Sequence, residues 1–216
     1  QGAKELILVA QETTLYGVDL YGEKSLHKLL DELNKISGLF WIRIMYCYPE
    51  EIYDELIESM IKDEKVCHYL DMPIQHCNDD ILRRMGRKTT KAELMERIRM
   101  LRERIPDITL RTTLICGFPG ETQDNHEELM QFVNVMELEE EVIFDKNETL
   151  KGKELYVFIE GKVADENAYI GRTYRDAPNV DGYIFINTDE TLMTGDICKV
   201  MVTGAYEYDL IGELVK

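Results

Sequence analysis

The first half of the chain alternates short apolar runs with amphipathic segments, and this alternation limits the possible folds most. The apolar runs lie at Lys4–Ala10, Trp41–Cys47, around His68–Met72 and at Ile108–Cys116. Between them, apolar residues recur with the helical period. Such a βαβα series predicts a parallel sheet with right-handed crossovers. Four units are too few for a closed eight-stranded barrel, so we expect an α/β partial (incomplete TIM-like) parallel barrel.

Capping residues mark where the intervening helices begin. We also expect Pro49 to open a helix, because proline is well tolerated in a first helical turn. Arg84 and Arg87 are expected on a solvated basic face. The predicted caps are Ser25, Asn78, a capping box formed by Thr90 and Glu93, and Thr122, whose helix is expected to end near Val133.

The second half has a different pattern and predicts a small all-β five-stranded barrel of the OB type over residues 153–216. Residues 1–133 form the first predicted domain, and the acidic stretch 134–152 links the two. This stretch is either a helix leading into the barrel or a join between segments that are not adjacent in the natural protein, and we expect the discontinuity. The five predicted strands are Glu154–Glu160, Ala168–Tyr174, Gly182–Asn187, Asp196–Thr203 and Tyr208–Val215.

The charge balance is strongly acidic, with 42 Asp and Glu against 25 Lys and Arg. Residues 134–216 alone carry 18 acidic and 8 basic side chains. Such a field repels phosphate backbones, so it disfavours transfer RNA and favours a basic protein partner. Acidity could equally serve solubility alone. The longest uncharged apolar run, Leu6–Ala10, is too short to cross a bilayer, so we expect no membrane partner and a cytoplasmic protein.

Polar residues and glycines follow each predicted strand of the first domain, where parallel sheets place their chemistry. Arg111 lies on an otherwise apolar strand, so we expect it to point into the barrel, either toward an anion or toward a neighbouring acid. Thr113 falls on the same face by strand alternation. Gln75 and His76 follow the third strand, and Gly117 follows the fourth.

Four of these strand-end segments, in this order and spacing, resemble the radical S-adenosylmethionine (SAM) domain of the methylthiotransferases. Two segments of the second half resemble the TRAM barrel that closes those enzymes. Glu12-Thr13-Thr14, the Tyr46–Pro49 stretch and DAPNVDG are similar to the ribosomal-protein type of the family. The six segments are AQETTLYG (10–17), YCYPEEIYDELIE (46–58), PIQHCNDDILRRMGRKTT (73–90), RTTLICGFPGET (111–122), GRTYRDAPNVDG (171–182) and TGAYEYDLIGEL (203–214).

The resemblance implies SAM as cofactor and a radical SAM fold followed by a TRAM domain. It implies that Gln11 and Glu12 meet the methionyl amine and that Arg111, with Thr113 beside it, meets the methionyl carboxylate. Gly117 would let the backbone approach the adenine. Gln75 and His76 would hydrogen-bond cofactor or substrate, and no residue is assigned as catalytic.

The resemblance implies that the protein adds a methylthio group to the β-carbon of an aspartate in small-subunit ribosomal protein S-twelve. This basic substrate would bind through the acidic TRAM domain. A separate donor would supply the electrons. Two alternatives stay open, a transfer-RNA adenosine methylthiotransferase and a non-catalytic acidic protein-binding module. The resemblance also implies two [4Fe–4S] clusters in the full-length protein. The CxxxCxxC motif that would ligate one of them is absent from these 216 residues, so we expect no metal ligands here and an inactive fragment. The resemblance further implies that two barrel strands of the family are missing between about Val133 and Leu150.

Overall fold

A computed structural model describes residues 2–164, 167–206 and 208–215, including their side chains except those of residues 133, 134 and 136–146. The chain separates into two compact units, residues 1–133 and 134–216. Among the described residues, no helix is both long and apolar enough to cross a membrane.

The first unit is built on four parallel strands in the spatial order β1-β2-β3-β4. This arrangement confirms the predicted open parallel sheet. The last strand is shorter than predicted, and a single bridge between Gln75 and Leu114 continues its pairing with the segment after β3. The strands are β1 (Glu5–Leu8), β2 (Trp41–Ile44), β3 (Val66–Asp71) and β4 (Thr109–Arg111).

In the described part of the chain six helices accompany the strands, and two features differ from prediction. Pro49 opens only a 3-10 turn, Pro49–Glu51, because Ile52 returns to extended backbone. The last helix continues past the predicted end at Val133, since its sequence holds no glycine or proline that would stop it. The helices are α1 (Val18–Tyr21), α2 (Leu26–Asn34), α3 (Asp54–Lys62), α4 (Asp79–Arg84), α5 (Lys91–Arg104) and α6 (Gln123–Thr149).

The core of the first unit lies between the sheet and these helices. Leu30 of α2, Leu56 of α3 and Leu101 of α5 are fully buried, as the helical period predicts. Each such leucine contributes about 1.5–3 kcal/mol by leaving water. The sheet also holds a buried cation, Arg43, whose guanidinium lies 4.6 Å from the ring centroid of Tyr69. The strands of the sheet are therefore fixed by a packed core.

The second unit is a closed five-stranded barrel, as predicted, in the order β5-β6-β7-β9-β8. Neighbouring strands are antiparallel except β7 and β9, which are parallel. Its core is mostly aliphatic, with Val157, Ile184 and Val200 fully buried, and also contains Tyr169. The strands are β5 (Glu154–Lys162), β6 (Ala168–Arg172), β7 (Ile184–Asn187), β8 (Ile197–Tyr206) and β9 (Asp209–Leu214).

Candidate functional site

A cavity of 680 Å³ opens at the carboxyl ends of the four parallel strands. Its walls come from the segments that follow β1, β2 and β3 and from the end of β4, so all four strands contribute. This is the edge of a parallel sheet where ligands usually bind. The lining residues are Val9, Ala10, Gln11, Tyr46, Tyr48, Asp71, Pro73, Gln75, Arg111 and Thr113.

Two lining residues hold backbone conformations that side chains other than glycine rarely adopt. Tyr46 has φ +58° and Gln75 has φ +70°. Such residues cost of order 1–3 kcal/mol each and cluster at ligand sites. Backbone hydrogen bonds hold Gln75 in place, since its N–H donates to Thr113 O at 2.9 Å and its carbonyl accepts from Ile115 N at 2.7 Å. Both strained residues therefore belong to the cavity lining.

The side-chain oxygen of Gln75 is the clearest sign that the cavity is a ligand site. Gln75 Oε1 is buried and has no hydrogen-bond partner among the described residues. A buried acceptor left unpaired costs about 1–3 kcal/mol, so such atoms usually face a water or a ligand. A ligand that brings an N–H or O–H donor into the cavity would satisfy this oxygen.

Arg111 and Asp71 form a charged pair in the cavity wall. Arg111 Nη1 donates to Asp71 Oδ1 at 2.6 Å, and Tyr46 N donates to Asp71 Oδ2 at 3.3 Å. Asp71 is 1% exposed, whereas the Arg111 side chain is 32% exposed. The sequence predicted that Arg111 would face either an anion or a neighbouring acid. In the structure it pairs with the neighbouring acid Asp71, and it also lines the cavity. Sequence reasoning missed Asp71, although an acid ending an apolar strand was the available signal.

Glu12 lies beside the cavity, but it is not among the lining residues. Its Oε1 accepts from the backbone N–H and the hydroxyl of Thr14, and its Oε2 accepts from Tyr48 N at 2.8 Å. Burial raises the pKa of Glu12, although these hydrogen bonds oppose the rise. The carboxylate therefore fixes Tyr48, a lining residue, and its contact with a methionyl amine stays a prediction.

Arg87 contacts two residues of the cavity wall, Tyr48 and Pro73. Its guanidinium lies 4.0 Å from the ring centroid of Tyr48, and its Nη2 donates to Pro73 O at 2.7 Å. The predicted solvated face is wrong for Arg87, whose side chain is 8% exposed. Stacking on a tyrosine and burial of the alkyl chain explain why this cation leaves water.

The two remaining predicted site residues lie outside the cavity lining. His76 is fully buried and faces Glu121, with Nε2 3.6 Å from Oε1. Gly117 has φ +78° and lies in the loop after β4, where a side chain would meet nothing within 4 Å. The structure therefore brings Gln11, Gln75, Arg111 and Thr113 together in one cavity, whereas Glu12, His76 and Gly117 are not among its lining residues.

The lining chemistry fits a small zwitterionic molecule with an organic cation. Arg111 offers a guanidinium to a carboxylate, Gln75 offers an unpaired oxygen to an amine or hydroxyl, and Tyr46, which is 45% exposed, offers an aromatic ring to a cation. SAM carries all of these groups. Among the described residues, no cluster of three or more His, Cys, Asp or Glu side chains could hold a metal ion, so these residues do not fit an iron–sulfur cluster.

Comparison with known proteins gives two family matches and a consistent set of relatives. A sequence model of the radical SAM superfamily matches residues 1–133, and one of the TRAM domain matches residues 152–215. Ribosomal protein uS12 methylthiotransferase RimO from Lachnoclostridium phytofermentans is 49% identical over 249 positions, covering 98% of this chain and 57% of that protein. The protein of that name from Clostridium botulinum strain Hall is 44% identical, covering 98% of this chain and 56% of that protein.

A third protein of that name, from Carboxydothermus hydrogenoformans, is 40% identical over 253 positions, covering 100% of this chain and 58% of that protein. The chain thus spans somewhat over half the length of these relatives. The 253 aligned positions exceed the 216 residues of this chain by 37, so about 37 positions of that alignment have no counterpart here. The radical SAM model matches well over half of the sequence and covers the whole cavity. The chain therefore belongs to the radical SAM superfamily, and a TRAM domain follows its radical SAM domain.

Proposed function

We propose that the complete protein is a radical SAM methylthiotransferase that modifies an aspartate of ribosomal protein uS12, and that residues 1–133 hold SAM in the strand-end cavity. The observation that carries the proposal is that Gln75, whose buried side-chain oxygen is unpaired, and Arg111 both line this one cavity. The name shared by the relatives supplies the reaction and the target.

In this proposal the chain binds and orients SAM. Arg111 pairs with the methionyl carboxylate, while Asp71 keeps the guanidinium at the cavity wall. Gln75 Oε1 accepts a hydrogen bond from the amine or a ribose hydroxyl, with Gln11 and Thr113 as further polar contacts. When bound beside a reduced [4Fe–4S] cluster, SAM supplies the one-electron chemistry needed to functionalise an unactivated carbon. In the complete protein we place the ligands of both expected clusters outside these residues.

The acidic barrel is proposed to bind the basic substrate protein. Several of its few basic side chains are already paired, since Arg172 binds Glu160 and Lys199 binds Glu154. Asp189 and Glu213 are exposed, so an excess of negative charge faces water. Complementary charge speeds association and suppresses wrong partners, here polyanions such as transfer RNA. The reaction also needs an electron donor and belongs in the cytoplasm, where ribosomal proteins are made.

Two experiments test this proposal. The chain is titrated with purified uS12 and with transfer RNA at several salt concentrations, and uS12 is expected to bind while transfer RNA is not. A strong RNA affinity that falls steeply with salt would favour the transfer-RNA reaction. The full-length protein, reconstituted with iron and sulfide, is then incubated with uS12, SAM and a reductant. Mass spectrometry should find a methylthio group on one aspartate, and unmodified uS12 would contradict the proposal.

A further inference from the structure

Glu121 ends the loop that follows β4, and its carboxylate binds the backbone of that same loop. Its Oε2 accepts from Gly117 N at 2.6 Å and from Phe118 N at 2.9 Å. Burial would raise the pKa of Glu121, but the two amides and nearby His76 bring it below its ordinary value. The carboxylate is therefore charged at neutral pH and holds the loop, residues 117–121, in one conformation.

The second carboxylate oxygen of Glu121 lies between two imidazoles. Oε1 is 3.6 Å from His76 Nε2 and 3.5 Å from His126 Nδ1. Glu121 Oε1 and His76 Nε2 are both buried, and neither has a hydrogen-bond partner among the described residues. The two atoms face each other at a few tenths of an ångström beyond hydrogen-bond length, so a small movement pairs them.

The tautomer of His76 follows from its other ring nitrogen. His76 Nδ1 accepts from Asn78 N at 2.9 Å. A neutral imidazole that accepts at Nδ1 carries its hydrogen on Nε2. Asn78 is fixed in turn, because its side chain accepts from Asp80 N and Ile81 N and caps α4. The start of α4 therefore directs the Nε2–H of His76 toward Glu121.

His76 and the loop of residues 117–121 adjoin the cavity lining, both along the sequence and through the backbone hydrogen bond between Gln75 and Ile115. His76 directly follows Gln75, whose carbonyl accepts from Ile115 N at 2.7 Å. Gly117 comes two residues after Ile115, so the loop begins where the cavity wall ends. The open space in front of Gly117, with nothing within 4 Å of a Cβ there, leaves room for a ligand to approach this backbone.

The far side of the loop is closed. A Cβ at Gly120 would overlap the guanidinium of Arg84, which donates to Pro119 O at 2.6 Å and to Gly120 O at 2.9 Å. The loop is thus held by Arg84 on one side and by Glu121 from within. With the loop backbone held in this way, the Glu121 carboxylate can still change its orientation. His76 is the buried hydrogen-bond donor that faces this carboxylate.

We propose that His76 and Glu121 are positioning residues that hold the backbone of Gly117 and Phe118 at the rim of the cavity and thereby set its affinity for SAM. The choice of SAM as the ligand rests on the proposed function. Neither side chain lines the cavity, so both act through the loop rather than on the reacting atoms. His76 orients the carboxylate, and the carboxylate orients the two amides.

Hydrogen exchange on the full chain tests the positioning without any cofactor. His76→Phe removes the donor, and Glu121→Gln places an amide group against the Nε2–H. Each should speed exchange of the Gly117 and Phe118 amides by about tenfold, the size expected for one charge-assisted hydrogen bond. His76→Gln keeps an N–H donor near the position of Nε2 and should stay close to the unaltered protein. His68→Gln, at a histidine that pairs with Asp107 at 2.7 Å, is the matched control and should leave both amides unchanged.

A second measurement needs no substitution. Long-range nitrogen–proton spectra of the unaltered chain at pH 8 should show His76 as the Nε2–H tautomer. A hydrogen on Nδ1 would overturn the proposal, because no donor would then face Glu121. Equal exchange of the Gly117 and Phe118 amides in His76→Phe and the unaltered chain would overturn it as well.

Titration with SAM separates this proposal from the proposed function. We expect His76→Phe to weaken SAM binding about tenfold and His68→Gln to leave it unchanged. If the unaltered chain fails to bind SAM, the proposed function fails, while the exchange rates still decide the positioning role. If SAM binds equally to His76→Phe and the unaltered chain, the link from loop to cavity is wrong.

Discussion

Arg111 on β4 and Asp71 on β3 form a short charged link between the two strands at the cavity, with Nη1 donating to Oδ1 at 2.6 Å. The Asp71 side chain is 1% exposed, and Tyr46 N also donates to it, at 3.3 Å from Oδ2. Arg111→Met should lower the free energy of unfolding by about 1–3 kcal/mol, since it leaves a buried carboxylate without its cation. Urea denaturation followed by the fluorescence of Trp41, the one tryptophan in the sequence, reports on this unit.

The control for Arg111→Met is the double substitution with Asp71→Asn. Removing the charge at Asp71 as well should recover part of the loss, because no unpaired carboxylate remains. Purely additive costs for the two substitutions would show that the pair is not coupled.

Gln75→Gly should stabilise the first unit while weakening its ligand binding. Glycine adopts the φ of +70° without strain, so we expect a gain of about 1 kcal/mol after the entropic cost of glycine is subtracted. Asn179→Gly is the matched control, since asparagine already tolerates its φ of +59° and little should change there. Urea midpoints measure the stability, and an unchanged or lower midpoint for Gln75→Gly would remove the argument from strain.

Thr90→Ala and Ser25→Ala should differ, although both residues occupy helix N-cap positions. Thr90 accepts from Glu93 N in a complete capping box, so its loss should cost about 1 kcal/mol. The Ser25 hydroxyl instead donates to Glu23 O and bonds no helix amide, so its substitution should cost less. Equal losses in Trp41-monitored unfolding would mean that the capping hydrogen bond is not what matters.

Asp176→Asn should stabilise the barrel at neutral pH. Burial raises the pKa of Asp176 above its ordinary 3.8, despite hydrogen bonds from Thr173 and the charge of Arg175, and Asp181 adds to the rise. A raised folded-state pKa means that the native state holds the proton more tightly, so stability is lost as pH rises through that pKa. Circular dichroism melts should show a higher midpoint for Asp176→Asn at pH 7. The difference should vanish as pH falls toward 3.8, and a difference that grows in acid would contradict the assignment.

Periodicity and turn residues were enough to predict most of the fold. The five barrel strands and the first three parallel strands match the structure within a few residues, because apolar alternation and glycine-rich turns specify them locally. The fourth parallel strand ends at Arg111, five residues before its predicted end. The helix predicted to begin at Pro49 exists but begins at Asp54, because Pro49 opens a separate 3-10 turn and Ile52 is extended. The end of α6 was missed because acidic residues such as Glu139 and Glu140 are good helix formers and carry no stop signal.

The site was only partly predictable. Arg111 and Thr113 were expected on one face by strand alternation, and both line the cavity although β4 itself ends at Arg111. Their contacts with a cofactor stay predictions. Asp71 and the positive φ of Tyr46 depend on contacts between different strands, and a single sequence does not show these. The contact of Glu12 with a ligand stays a prediction, and the hydrogen bonds that its carboxylate accepts from Thr14 N and Tyr48 N could not be read from its sequence position.

Titration of the ¹⁵N-labelled chain with SAM tests the central claim most directly. Saturable shifts are predicted for the amides of Gln75, Arg111 and Thr113, with binding weakened in Arg111→Met. No saturable shift at these amides, or shifts confined to the barrel, would contradict the account of the cavity as a SAM site.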